Sequence, residues 1–201
     1  MVGAAPLVGV LALQGAVPEH ARLLRAVGAD VRLVRRPDDL HGLAGLVLPG
    51  GESTTISRLL DIFALREALI DALRAGLPTL GTCAGLILLS AAVEGAKVPG
   101  LRPLGVLDVD VRRNAFGPQV DSAAVTLPWG SPATTVTGAL IRAPEIVRVG
   151  PGVEITSAWR DATGRSHVVG VRSTTITGVS FHPELTGETS LHAELVARAR
   201  A

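Results

Sequence analysis

Three short segments carry side chains whose types and spacing suit covalent chemistry. Gly81-Thr82-Cys83-Ala84-Gly85 holds the chain's single cysteine, between apolar runs that end at Leu80 and begin at Leu86. One cysteine excludes an internal disulfide and a Cys-rich zinc site, leaving Cys83 as either an inert core residue or a reactive thiol. Its neighbours favour the thiol. A Gly-x-nucleophile-x-Gly turn between strand and helix holds the nucleophile strained and exposed, while the glycines let neighbouring backbones approach. A helix beginning after Cys83 would favour thiolate through its positive end, and its first N–H groups lack partners within the helix. The Ala84 amide is therefore a candidate oxyanion donor.

The second segment is Phe181-His182-Pro183-Glu184. In extended chain, residues two apart point to the same side, so Glu184 can reach the His182 imidazole while Pro183 stiffens the link. A carboxylate on one ring nitrogen fixes the tautomer and leaves the other nitrogen for a thiol. Alone, such a pair reads first as a surface ion pair; beside the cysteine turn it reads as a base with its orienting acid. The other histidines, His20, His41, His167 and His192, read as surface or capping residues, and no metal-binding His/Cys spacing is present.

Leu48-Pro49-Gly50-Gly51-Glu52-Ser53 is the third segment. Paired glycines let backbone N–H groups approach a ligand, which makes Gly51 the second candidate oxyanion donor. The segment reads equally as a strand-to-helix turn capped by Ser53, and both readings can hold together.

The elements that must position these segments alternate in βαβ fashion. Strands are expected at Leu7–Leu13, Val31–Val34, Leu46–Leu48 and Pro78–Leu80, with helices at Pro18–Val27, Thr54–Leu73 and from Leu86 to Val93. Beyond Leu104 the pattern becomes short strands, Val106–Val111, Ala123–Leu127, Ile146–Val149 and His167–Arg172, expected to extend the sheet in antiparallel fashion. A strand Thr175–Phe181 leads into a closing helix with Thr186 as N-cap and Leu191, Leu195 and Val196 buried. Open α/β sheets bind ligands beyond the carboxyl ends of their strands, where all three chemical segments then lie.

The bulk numbers agree with one domain spanning the 201 residues, 47% hydrophobic and 18% charged. A net charge of +1, with no Lys/Arg run, offers no footprint for nucleic acid or anionic lipid. No basic residue precedes the apolar start, which reads as a first strand and not a signal peptide, and Leu86–Val93 is far too short to span a membrane. A cytoplasmic protein is expected.

Together, Pro-Gly-Gly, Gly-x-Cys-x-Gly and His-Pro-Glu resemble the class I glutamine amidotransferases. Within that class the chain is similar to the glutaminase subunits of pyridoxal 5'-phosphate synthase, through Leu11-Ala12-Leu13-Gln14-Gly15-Ala16, Gly50-Gly51-Glu52-Ser53-Thr54, Gly81-Thr82-Cys83-Ala84-Gly85-Leu86, Arg113-Asn114-Ala115-Phe116-Gly117 and Ile141-Arg142-Ala143-Pro144. The resemblance implies an α/β three-layer sandwich, flavodoxin-like, with a mostly parallel central sheet and helices on both faces. It implies Cys83, His182 and Glu184 as catalytic residues, and L-glutamine bound among Gly51, Glu52, Ser53, Arg113, Ile141 and Arg142. A guanidinium fork suits an amino acid's α-carboxylate, although without the resemblance both arginines read as solvated charge. Gln14 is expected near the oxyanion loop and a partner surface. No cofactor is implied, pyridoxal 5'-phosphate being the product of the partner synthase in a large hetero-oligomer. Pro118 departs from the arginine expected there. The rival readings are a glutaminase of another pathway, a silent binding subunit and a cysteine peptidase.

Overall fold

The computed structural model describes residues 4–95, 98–115, 124–130 and 134–201; Phe116, Gly117 and Pro118 of the quoted motif lie outside them. The first half runs β1 (Leu7–Leu11), α1 (Val17–Ala26), β2 (Asp30–Val34), a 3-10 turn, β3 (Gly45–Leu48), α2 (Ser53–Ile62), α3 (Arg66–Arg74), β4 (Thr79–Thr82) and α4 (Ala84–Leu89). There follow β5 (Ser90–Glu94), β6 (Leu107–Arg112), β7 (Ala124–Trp129), β8 (Thr134–Ala139), β9 (Glu145–Val149), β10 (Glu154–Arg160), β11 (Ser166–Arg172), β12 (Ile176–Val179) and α5 (Ser190–Arg198).

The main sheet has the order β2-β1-β3-β4-β12-β11-β9-β6-β5, with β10 paired to β11. Its first five strands are mutually parallel and follow the 2-1-3-4-5 order of flavodoxin-like folds. Every residue of β3, β4 and β12 is buried, the pattern of strands covered on both faces. One core, including Leu48, Ile56, Leu60, Leu69 and Leu86, lies under α2, α3 and α4; the other, including Val8, Leu24, Val47, Phe181, Leu191 and Leu195, lies under α1 and α5. Helices therefore cover both faces, as expected. Among the described residues, no helix is long and apolar enough to cross a membrane.

Four expectations are corrected. The helix expected over Thr54–Leu73 is two, broken at Ala64, whose φ of 52° turns the chain. Leu65 and Leu69 reach the core beyond the break, and the buried Arg66 folds back to donate to Ser57 O at 2.6 Å and Asp61 Oδ1 at 2.6 Å. The helix expected from Leu86 to Val93 stops at Leu89, where Ser90 Oγ donates to Ile87 O, and its remainder forms edge strand β5 beside β6. β7 does not extend the main sheet but pairs with β8 in a separate ribbon. The last helix begins after Thr189, not Thr186, whose hydroxyl instead donates to Thr137 O at 2.9 Å. Strands β8 and β10 were not expected from the sequence, because Thr, Gly, Ser and Ala dilute their alternation.

Candidate active site

Neighbouring strands bring the three chemical segments together. Leu48 of β3 lies beside Gly81 of β4, and Thr82 of β4 lies opposite Val179 of β12, so all three strands end side by side. Pro49-Gly50-Gly51, Cys83 and Phe181-His182 leave those ends in turn.

Cys83 lies between β4 and α4 with φ 46° and ψ −100°, a conformation that L-residues adopt only under strain. Gly85 makes the turn feasible, since a Cβ there would stand 2.0 Å from the carbonyl oxygen of Leu48. Asn114 and Arg142 also have positive φ, at 50° and 42°. Backbone strain of this kind gathers where function over-determines geometry, and all three residues line the same cavity of about 570 Å³.

Gln14, Gly51, Glu52, Ser53, Cys83, Arg113, Ile141, Arg142 and His182 line it too, so each expected contact residue faces this space except Glu184 and Ala84. Ala84 opens α4 immediately after the sulfur and is buried. Glu184 stands behind the imidazole, its Oε1 2.7 Å from His182 Nδ1. The His182 backbone is fixed as well: it exchanges two hydrogen bonds with Ala139 of β8, at 2.9 and 3.1 Å. Before it, the fully buried Phe181 meets Trp129 edge to face at 6.4 Å. Gly50 lies flat against the ring, since a Cβ there would come within 2.2 Å of His182 Cε1.

Charges follow from these contacts. Burial alone would lower the His182 pKa, but Cys83 and Glu184 act on the ring and raise it to about 10. Burial would raise Glu184, but the hydrogen bond from His182 and the His20 ring nearby lower it to about 2. At neutral pH the pair is therefore imidazolium and carboxylate.

The glycine loop is held from two sides. Gly50 N–H donates to Thr82 Oγ1 at 3.0 Å, and Glu52 N–H donates to Gln14 Oε1 at 2.7 Å. Glu52, not Ser53, caps α2, accepting from the Thr54 and Thr55 amides, and pairs with Arg113 at 3.3 Å. Ser53 is instead buried at the cavity wall with its hydroxyl unpartnered. Asn114 and Ile87 also line the cavity, although the sequence reading gave them no role.

The expectation for the histidines fails at three of four positions. His41 is exposed and ends the 3-10 turn. His20 and His192 are fully buried, and His167 is buried between Glu145 and Asp161. His20 and Leu23, Leu24 repeat at helical spacing, as do His192 and Leu195, Val196, so both rings belong to the apolar stripes that face the sheet. That periodicity was the signal available for them.

Comparison with known proteins places this fold among the glutamine amidotransferases. A crystal structure of a glutamine amidotransferase superposes with a TM-score of 0.85 at 38% identity, over 99% of this chain and 100% of the other. Residues 10–199 match the SNO glutamine amidotransferase family, and the chain belongs to that family. A relative in Cutibacterium acnes, named pyridoxal 5'-phosphate synthase subunit PdxT, is 50% identical over 190 residues, 94% of each chain. Another of that name, in Salinispora arenicola, is 46% identical over 201 residues, 98% of each.

Proposed function

We propose that this chain is the glutaminase subunit of a pyridoxal 5'-phosphate synthase. It hydrolyses L-glutamine to glutamate and hands the ammonia to a PdxS-type synthase in a large hetero-oligomer. The observation that carries the reading is that Cys83 and His182 face one cavity of about 570 Å³, a size suited to a small ligand, with Glu184 behind the ring at 2.7 Å. The names of the full-length relatives support the choice of pathway.

In this reading the Cys83 thiolate attacks the carboxamide carbon of glutamine, its proton already resting on His182. The tetrahedral oxyanion is held by the N–H groups of Gly51 and Ala84. His182 then protonates the amide nitrogen, the C–N bond breaks, and ammonia leaves a glutamyl thioester. Water, deprotonated by His182, attacks the thioester; the C–S bond breaks and the sulfur leaves as thiolate beside the recharged ring. Glu184 holds the ring and stabilises its charged form throughout. Arg113 and Arg142 take the substrate α-carboxylate, and Glu52, Ser53 and Ile141 complete its pocket. Gln14 holds the glycine loop on the side that faces the partner.

The reaction requires no cofactor or metal; pyridoxal 5'-phosphate forms on the synthase. Residues 1–201 act as one glutaminase domain, in the cytoplasm. Ammonia in bulk water becomes ammonium, so a sealed passage into the synthase follows from the chemistry. Glutamate release from glutamine, measured with and without the synthase, tests the reading: weak turnover alone and strong stimulation are expected, and Cys83→Ala abolishes both. Equal turnover with and without the partner removes the coupling; near wild-type rates in Cys83→Ala remove Cys83.

A further inference from the structure

The buried polar groups behind Glu184 are not used by the mechanism above. Glu184 Oε1 receives His182, but Oε2 is sealed from solvent and has no hydrogen-bond partner of ordinary geometry. His20 Nε2, from α1, stands 3.4 Å from that oxygen, and both side chains are fully buried. The same nitrogen lies 3.2 Å from Thr82 Oγ1, which itself accepts the Gly50 amide. On the far side of the ring, His20 Nδ1 lies 2.9 Å from His192 Nε2, contributed by α5.

The tautomers follow from the charges. Glu184 is ionised, its pKa lowered to about 2, so a bare nitrogen lone pair facing Oε2 would be repelled and Nε2 must carry a proton. His192 is neutral, since burial, with His20 beside it, lowers its pKa to about 3. One proton is shared between His192 Nε2 and His20 Nδ1. On the other side of the ring the Nε2–H of His20 faces Glu184 and Thr82, while His182 Nδ1–H meets Glu184 from the opposite end.

We propose that His20 is a positioning residue of the catalytic centre, its Nε2–H holding both the second oxygen of Glu184 and the hydroxyl of Thr82. One ring then sets the angle of the carboxylate that orients His182 and the seat of the Gly50-Gly51 loop. His192 holds the far side of the ring, at 2.9 Å from its Nδ1. Side chains from α1, β4, α5 and the loop after β12 meet here, so the alignment of the site depends on packing on the sheet face away from α2 and α4. The titratable groups around Glu184 are His182 on its own loop, His20 from α1 and, behind it, His192 from α5.

This inference rests on the glutaminase reading, and the test separates their failures. In the synthase complex, His20→Gln keeps an N–H at the Nε2 position, whereas His20→Met fills the space without a donor. His20→Met is expected to lower kcat about 10- to 100-fold, by analogy with lost outer partners at metal sites, with KM for glutamine within about threefold. Without its donor the carboxylate is protonated more readily, so the acid limb of the kcat profile moves to higher pH. His20→Gln restores kcat to within about fivefold of wild type. A His20→Met kcat within threefold of wild type, or equal losses in both variants with an unmoved acid limb, overturns the proposal. Long-range ¹H–¹⁵N NMR of the wild-type chain gives a readout independent of turnover and of how the variants fold: protonation of His20 at Nε2 supports the proposal, and an unprotonated Nε2 overturns it. Absence of glutamate release by the wild-type complex in the same assay sinks the glutaminase reading instead.

Discussion

At the scale of single residues, the site stores strain where its chemistry is proposed. Cys83 holds φ 46° and ψ −100°, and a residue in such a region costs about 1–3 kcal/mol. Glycine relieves that cost and alanine does not. Cys83→Gly should therefore be more stable than Cys83→Ala by about 1 kcal/mol or more, seen as roughly 2–4 °C in Tm for a chain of this size; equal melting temperatures would show that the turn is relaxed. The proposed triad was legible because each member sits in a motif whose spacing has a mechanical reason: glycines beside Cys83, and two-residue alternation from His182 to Glu184. His20 was illegible as a partner. Nothing within α1 points to Glu184, and only the packing of α1 against β4 and the loop after β12 makes the contact. Arg113 and Arg142, which charge alone assigns to solvent, were found through resemblance and do line the cavity.

Among the elements, tightness at the elbow dominates. The hydrogen of Gly85 faces the Leu48 carbonyl, and a Cβ would stand 2.0 Å from that oxygen. Gly85→Ala forces β3 and α4 apart, and a loss of about 1–3 kcal/mol or more in urea melts is expected; an unchanged midpoint would mean that the elbow yields freely. The first five strands and the helices covering them were readable because buried parallel strands are continuous apolar runs. The region beyond Leu104 was only partly readable. Its strands are short and partly exposed, and β7 pairs locally with β8, apart from the main sheet, although its own residues read as one more strand of that sheet. The ribbon nonetheless matters to the site, for β8 grips the backbone of His182 and leads directly into Ile141 and Arg142. The breaks at Ala64 and Leu89 escaped notice because a helical apolar pattern continues through both.

For the whole molecule, two histidines shape the dependence of stability on pH. His192 has an ordinary pKa near 6.5 when unfolded and about 3 when folded. Between these values the unfolded chain binds a proton that the folded chain does not, so stability falls as pH drops below 6.5. His182 acts oppositely. Its folded pKa is raised from 6.5 to about 10, so its contribution is complete below 6.5 and is lost as pH rises through the folded value. The two together place the optimum near pH 6.5, with slopes of at most about 1.4 kcal/mol per pH unit for each proton. Urea melts from about pH 5 to 9 should trace a dome; a flat profile would contradict the burial of both rings.

The position of β12 has a consequence for synthesis. This strand lies between β4 and β11 in the sheet, yet it follows both in the chain. A nascent chain that has emerged as far as residue 170 has a slot in its sheet and carries the sulfur without its imidazole or carboxylate. The last strand closes the slot and carries His182 and Glu184 in behind it, so under the proposed triad a fragment cut short before residue 182 releases no ammonia from glutamine.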